Sequence, residues 1–233
     1  MRKNFFEYLR NPVSTDSPEI FTFKIYFKLL GMCYLFLFVS SIFLVIFRSF
    51  NFLPEYSVPK IESFANSGSI ILFLFIVIFG PLIEEVLCRL NLKITKLNIS
   101  AFLTAVLMLI IQVFFFRRFH FYIYLSIIPL FALIYYTINQ LHFPIGGIEN
   151  FVKSKFKYVF HFSAIVFGMI HLTNYDAIYW WMIVIIPILI APYITMGYVF
   201  GYARMKYGFV NGFLMHSTIN FISVIIMMPK HWF

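Results

Sequence analysis

Charge is what this chain has least of. Only 12% of its 233 residues are Asp, Glu, Lys or Arg, and 62% are hydrophobic; an ordinary soluble domain carries about 25% charge. Leu29–Phe47, Ala177–Ala203 and Phe209–Met228 hold no charge at all. Such poverty of charge excludes a disordered chain, which would need low hydrophobicity, and a soluble enzyme of ordinary composition. Cysteine is almost absent. Cys33 and Cys88 both lie inside apolar stretches, so no disulfide framework is implied. No internal repeat is evident. The first 28 residues mix Lys, Arg, Glu and Asp and lack the small-residue cleavage pattern of a signal peptide. Pro229–Phe233 carries no prenylation box.

What the chain does have is apolar length. A bilayer core takes roughly 20 apolar residues at 1.5 Å each. The expected architecture is therefore all-α, a polytopic transmembrane bundle of about seven helices. Ser17-Pro18 reads as an N-cap with proline in the first turn, opening a first span that ends near Phe47. The second runs from Ile70 into Glu84-Glu85, the third over Ala101–Phe116 and the fourth over Phe121–Leu141. Pro144-Ile-Gly-Gly147 reads as a turn. The fifth is Tyr158–Leu172, the sixth Ala177–Ala203 with Pro187 and Pro192 as expected kinks, and the seventh Phe209–Met228. Phe5, Phe6, Tyr8 and Leu9 suit a short amphipathic piece at the membrane surface, and Phe151–Lys157 suits a surface position.

The net charge is +9, which in a soluble protein would raise nucleic acid as a partner. Here the basic residues fall between apolar runs and read as topology and contact with membrane lipid. Across seven spans, thirteen Lys/Arg fall on the side of the N-terminus and five on the other. A cytoplasmic N-terminus follows from that bias.

A charge at bilayer depth costs about 2.5–3.5 kcal/mol on insertion scales. Polar residues inside the spans are therefore the informative ones, and they form three groups. In Glu84-Glu85-Val-Leu-Cys-Arg89, Glu85 and Arg89 share a helix face at i, i+4 and can pair. Glu84 is turned about 100° away and lacks that cation, so it is free to take a proton. The alternative for this segment is an ordinary ion pair at a helix end. The second group is Phe167-Gly-Met-Ile-His171. With 33 Phe and 6 His in the chain, Phe-x-x-x-His arises by chance, as at Phe116-Arg-Arg-Phe-His120. His171 is preferred because its surroundings are apolar. The third is His216-Ser-Thr-Ile-Asn220, which puts an imidazole and an amide on one face, one turn apart. For these last two groups, interhelical hydrogen bonding is an equally simple account.

Jointly the groups say more. Hydrolysis needs a base for water and donors for the oxyanion. Glu84 and His171 suit the first task, and His216 and Asn220 the second. The competing chemistry is a Zn²⁺ held by Glu84, His171 and His216; no other cofactor is implied. Cys88, Gln112, His142, His161, Asn211 and Ser40-Ser41 read as packing or interfacial residues.

Pro81-Leu-Ile-Glu84-Glu85-Val-Leu-Cys-Arg89, Phe167-Gly-Met-Ile-His171-Leu and His216-Ser-Thr-Ile-Asn220 resemble, in order, the three motifs of the CAAX-protease and bacteriocin-processing (CPBP, or Abi) membrane proteases. The type II CAAX prenyl endopeptidase is related to that family. The resemblance implies an intramembrane endopeptidase in which Glu84 and His171 activate water, His216 and Asn220 stabilise the oxyanion, and Glu85 and Arg89 support their helix. It covers roughly residues 70–225. Residues 1–69 then form an N-terminal segment with the first span, and 70–233 a catalytic membrane domain with an apparent inserted helical pair near 100–141. Three features depart from the family pattern: Cys88 where an aromatic is usual, Leu90 where Gly is usual, and a longer stretch between Arg89 and His171. The implied substrates are membrane-delivered peptides or proteins. The Phe/Ile/Asn/Lys-rich composition hints at a bacterial source, and hence at leader, pheromone or bacteriocin-type peptides rather than prenylated tails. The alternative from another class is a non-catalytic transporter or scaffold that uses the buried polar residues for protons or packing. A transporter would show paired broken helices; the Pro187/Pro192 stretch has no matching partner in the sequence.

Overall fold

A computed structural model of the chain describes residues 4–15, 18–50, 70–115, 126–141, 144–174 and 179–227. Among these the only regular secondary structure is helix, with no strand. The helices are α1 (Phe5–Arg10), α2 (Phe23–Ser49), α3, α4 (Lys96–Phe115), α5 (Ile127–Gln140), α6 (Ile145–Ser154), α7 (Phe156–Ile170), α8 (Ile186–Tyr207) and α9 (Phe209–Met227). Helix α3 passes without interruption through Ile70–Leu74, a π-helical turn Phe75–Phe79, and Gly80–Arg89. Short 3₁₀ segments follow α3 (Leu90–Leu92) and α7 (His171–Asn174) and precede α8 (Trp180–Val184).

Among the described residues, four stretches are long and apolar enough to cross a membrane: Phe23–Phe47, Phe156–Asn174, Ile186–Tyr207 and Phe209–Ile226. They mark an integral membrane protein. The remaining three of the seven expected spans differ. Ile127–Gln140 has 14 residues, about 21 Å of helix, short of a roughly 30 Å hydrocarbon core. The apolar part of α4, Lys96–Ile111, is also short, and α3 carries Glu84, Glu85 and Arg89 in its second half.

Helix α8 is the centre. It packs most extensively on α7, then on α9 and α2, while α4 and α5 pair with each other and α4 leans on α3. Close approach of α7 and α8 depends on Gly197, where an added Cβ would stand 3.0 Å from the Ala164 carbonyl oxygen. Gly208 ends α8 at φ +98°, a conformation open to glycine, and its N–H caps the Arg204 carbonyl. Large apolar side chains such as Phe27, Leu35 and Phe38 on α2 face outward, as lipid-facing residues do.

Local expectations are corrected at several points. The first long helix starts at Phe23, not Pro18. Glu19 instead bonds through its backbone N–H to the Lys206 carbonyl, and Ser17 lies outside the described residues. Helix α1 forms with an Asn4–Glu7 capping box, but of its expected surface residues only Phe6 stays exposed. Phe5 and Tyr8 are buried and meet Tyr202 and Phe160 edge to face. The expected turn at Pro144–Gly147 is the start of α6, because proline just before a first turn forgoes a donor that the helix does not use. Pro187 sits in the first turn of α8, where it breaks nothing, while Pro192 lies inside. Ser41 is exposed and bonds back to the Phe38 carbonyl. His161 contacts the Tyr198 hydroxyl at 3.1 Å. His120 and His142 lie outside the described residues, as does the side chain of Gln112.

Candidate active site

Three helices meet where the motifs lie. Helix α3 supplies Glu84, Glu85 and Arg89, the end of α7 supplies His171, and α9 supplies His216 and Asn220. Glu85 and Arg89 are wholly buried, and Arg89 Nη1 stands 3.5 Å from Glu85 Oε1. The guanidinium also lies 3.9 Å from the centroid of the Phe167 ring, a desolvated cation–π contact. Glu85 Oε1 is reached from the other side by His216 Nδ1 at 3.1 Å. One buried carboxylate thus joins α3 to α9.

Glu84 is the freer carboxylate. Its Oε2 is buried without a hydrogen-bond partner. Two imidazole nitrogens face it: His216 Nε2 at 3.7 Å and His171 Nε2 at 3.9 Å. The other nitrogen of each ring is committed. His171 Nδ1 donates to the Phe167 carbonyl at 2.8 Å, and His216 Nδ1 donates to Glu85. A carbonyl and an arginine-paired carboxylate accept only, so both rings hold hydrogen on Nδ1. In their neutral forms both Nε2 atoms present lone pairs to Glu84 Oε2. Three acceptors around one point call for hydrogens or positive charge between them. Separations of 3.7 and 3.9 Å exceed a hydrogen bond and suit one bridging water.

The same three side chains are the ones a zinc ion would need. Each ring gives its Nδ1–H to an acceptor, as metal-binding histidines do. Bonds of about 2.1 Å in a tetrahedron would put ligand atoms roughly 3.4 Å apart, and the observed separations are wider. Among the described residues no three His, Cys, Asp or Glu side chains are placed to hold a metal ion. As arranged, the donors do not fit a closed zinc site.

Asn220 sits one turn from His216, yet its partner is elsewhere. Its Nδ2 donates to the Ile76 carbonyl, inside the π-helical turn, at 3.0 Å. No family model, curated protein or solved structure matches this chain.

Aromatic rings around the two imidazoles shape the site, and the sequence did not single out Tyr193 or Phe200 among them. Tyr193 of α8 stacks on His171, with centroids 4.1 Å apart and rings 21° from parallel. Phe200 stacks on His216 at 4.8 Å and 19°, while Phe167 meets both imidazoles edge to face. Tyr193 lies four residues from Gly197 on the central helix, the one signal that could have found it. Phe200, one of 33 phenylalanines, carried none. Cys88 is buried as expected, and its carbonyl accepts from the Ser163 hydroxyl.

Proposed function

We propose that the chain is an intramembrane endopeptidase of the CPBP kind, hydrolysing peptide bonds in membrane-delivered peptides or proteins with a water activated by Glu84. What carries the reading is the convergence of Glu84 Oε2 with His171 Nε2 and His216 Nε2 at 3.9 and 3.7 Å. A second carboxylate without a hydrogen bond beside two imidazoles suits water activation better than helix packing. In the proposed bundle, α3, α4 and α5 complete a set of about seven membrane helices, with the N-terminus cytoplasmic and the bacterial cell membrane as its place.

In this mechanism Glu84, helped by His171, takes a proton from the bridging water as its oxygen attacks the peptide carbonyl carbon. The proton then passes to the leaving amine. His216 in its imidazolium form keeps Nδ1–H on Glu85 and turns Nε2–H to the oxyanion. Arg89 holds Glu85, and Glu85 holds His216; neither touches substrate.

The test is cleavage of an internally quenched peptide library, lipidated peptides included, by detergent-purified protein. The wild type should cleave, and Glu84→Gln should be slower by about 10²–10⁴-fold, the usual worth of a positioned base, with an unchanged melting temperature. Equal cleavage by both proteins would remove Glu84 from the chemistry, and no cleavage by either would remove the peptidase reading. One zinc per chain by elemental analysis, lost and regained together with activity, would replace the metal-free step.

A further inference from the structure

The π-helical turn in α3 has a cause in the sequence and a consequence for the site. Gly80 N–H donates to the Phe75 carbonyl, five residues back, and Pro81 has no N–H. The Ile76 carbonyl therefore loses both ordinary donors, residue 80 in an α pattern and residue 81 in a π pattern. A carbonyl away from water needs a partner, and the Asn220 amide supplies it at 3.0 Å. Gly80 also keeps the turn sterically open, since a Cβ there would stand 3.1 Å from the Phe75 oxygen.

An i→i+5 turn holds one residue more than an i→i+4 turn. It sets back everything beyond it by about one residue, roughly 100° of rotation. Glu84 and Glu85 are themselves one residue apart. Without the extra residue, and with the first part of α3 held in place, Ile83 would occupy the direction of Glu84. Glu84 would then turn to the place that Glu85 holds beside His216 Nδ1.

We propose that Asn220 is a positioning residue: by bonding the Ile76 carbonyl it holds the π-helical turn, and the turn selects Glu84 rather than Ile83 to face His171 and His216. The chemical consequence rests on the peptidase reading, but the register itself does not. Asn220 thereby acts through α3 and not on the oxyanion.

The register is read by cross-linking, without any cleavage assay. In a background of Cys33→Ala and Cys88→Ala, the pairs Glu84→Cys/His171→Cys and Ile83→Cys/His171→Cys are treated with a short bis-thiosulfonate reagent. With Asn220 present, the position 84 pair should dominate. With Asn220→Ala the preference should pass to position 83, and further deletion of Ile78, which takes the extra residue out of the turn, should return it to 84. Deletion of Ile78 alone, with Asn220 kept, should also retain position 84, which keeps the test open if Asn220→Ala does not fold. Persistence of position 84 in Asn220→Ala, or loss of it on deletion of Ile78 alone, overturns the proposal. Where the parent protein cleaves peptide, Asn220→Ala with Ile78 deleted should regain cleavage. A restored cross-link without restored cleavage would place Asn220 on the reacting atoms and overturn the positioning role. A parent that does not cleave refutes the peptidase reading and leaves the cross-links to decide the register.

Discussion

Arg89→Ala would strand a wholly buried carboxylate. Glu85 would lose the guanidinium 3.5 Å from its Oε1 and keep the imidazole at 3.1 Å. Removing one partner of a buried ion pair costs about 3–5 kcal/mol, and the cation–π contact on Phe167 adds on the order of 2 kcal/mol when desolvated. In chains of this size each kcal/mol moves the melting temperature by roughly 2–4 °C. The expected drop is thus on the order of 10–30 °C, followed in detergent by intrinsic tryptophan fluorescence. The decisive variant is the double one. Arg89→Ala with Glu85→Gln removes the stranded charge and keeps an acceptor for His216 Nδ1–H, so it should melt above Arg89→Ala alone. Non-additivity of at least about 1 kcal/mol is expected for groups in contact. Two independent, additive losses would show that the pair is not the unit described here, and an inactive Arg89→Ala with wild-type melting would move Arg89 from support into the chemistry.

Three other outcomes follow from the packing. Tyr193→Leu removes the ring stacked on His171 at 4.1 Å; such contacts are worth about 0.5–1.5 kcal/mol, so turnover should fall roughly two- to tenfold with the melting temperature little changed, and a variant that turns over at the wild-type rate contradicts a positioning role. Gly197→Val would drive side-chain atoms into the Ala164 backbone and should cost about 1–3 kcal/mol by overpacking, read as a lowered melting temperature; unaltered melting would mean that α7 and α8 do not approach as described. Tyr8→Ala deletes a buried ring and its hydroxyl bond to the Val13 carbonyl at 2.8 Å, a loss of about 3–5 kcal/mol for a buried aromatic; limited proteolysis should then cut within the first 15 residues sooner than in the wild type, and equal rates would refute the docking of α1.

How much of this could be read from residue order follows from what each feature depends on. Glu84, Glu85, Arg89, His171 and His216 were legible because polar groups amid apolar helices are costly and therefore conspicuous. The i, i+4 pairing of Glu85 with Arg89 is local geometry and appears as expected. The His216 contact with Glu85 is tertiary and had no sequence signal. Asn220 was placed correctly beside His216 on its helix but not by its partner. Its amide answers a carbonyl orphaned by Gly80-Pro81, and of that dipeptide only Pro81 was read in the sequence, as the opening of a motif. Helix starts at Phe23 and Ile145 were missed because proline marks both turns and first turns, and the choice is made by packing.

The attachment of the N-terminal segment to the end of α8 constrains the order in which the chain can be built. The Thr15 hydroxyl bonds the Met205 carbonyl, 190 residues further along, and Glu19 bonds Lys206 through its backbone. At synthesis rates of about 5–20 residues per second, α1 waits roughly 10–40 s for its partner to be made. During that interval Phe5 and Tyr8 have neither Tyr202 nor a finished core to cover them. Helix α1 is therefore made before the other described helices yet is among the last to be seated, and any stall in translation before α8 prolongs the time its aromatic face is open to other partners.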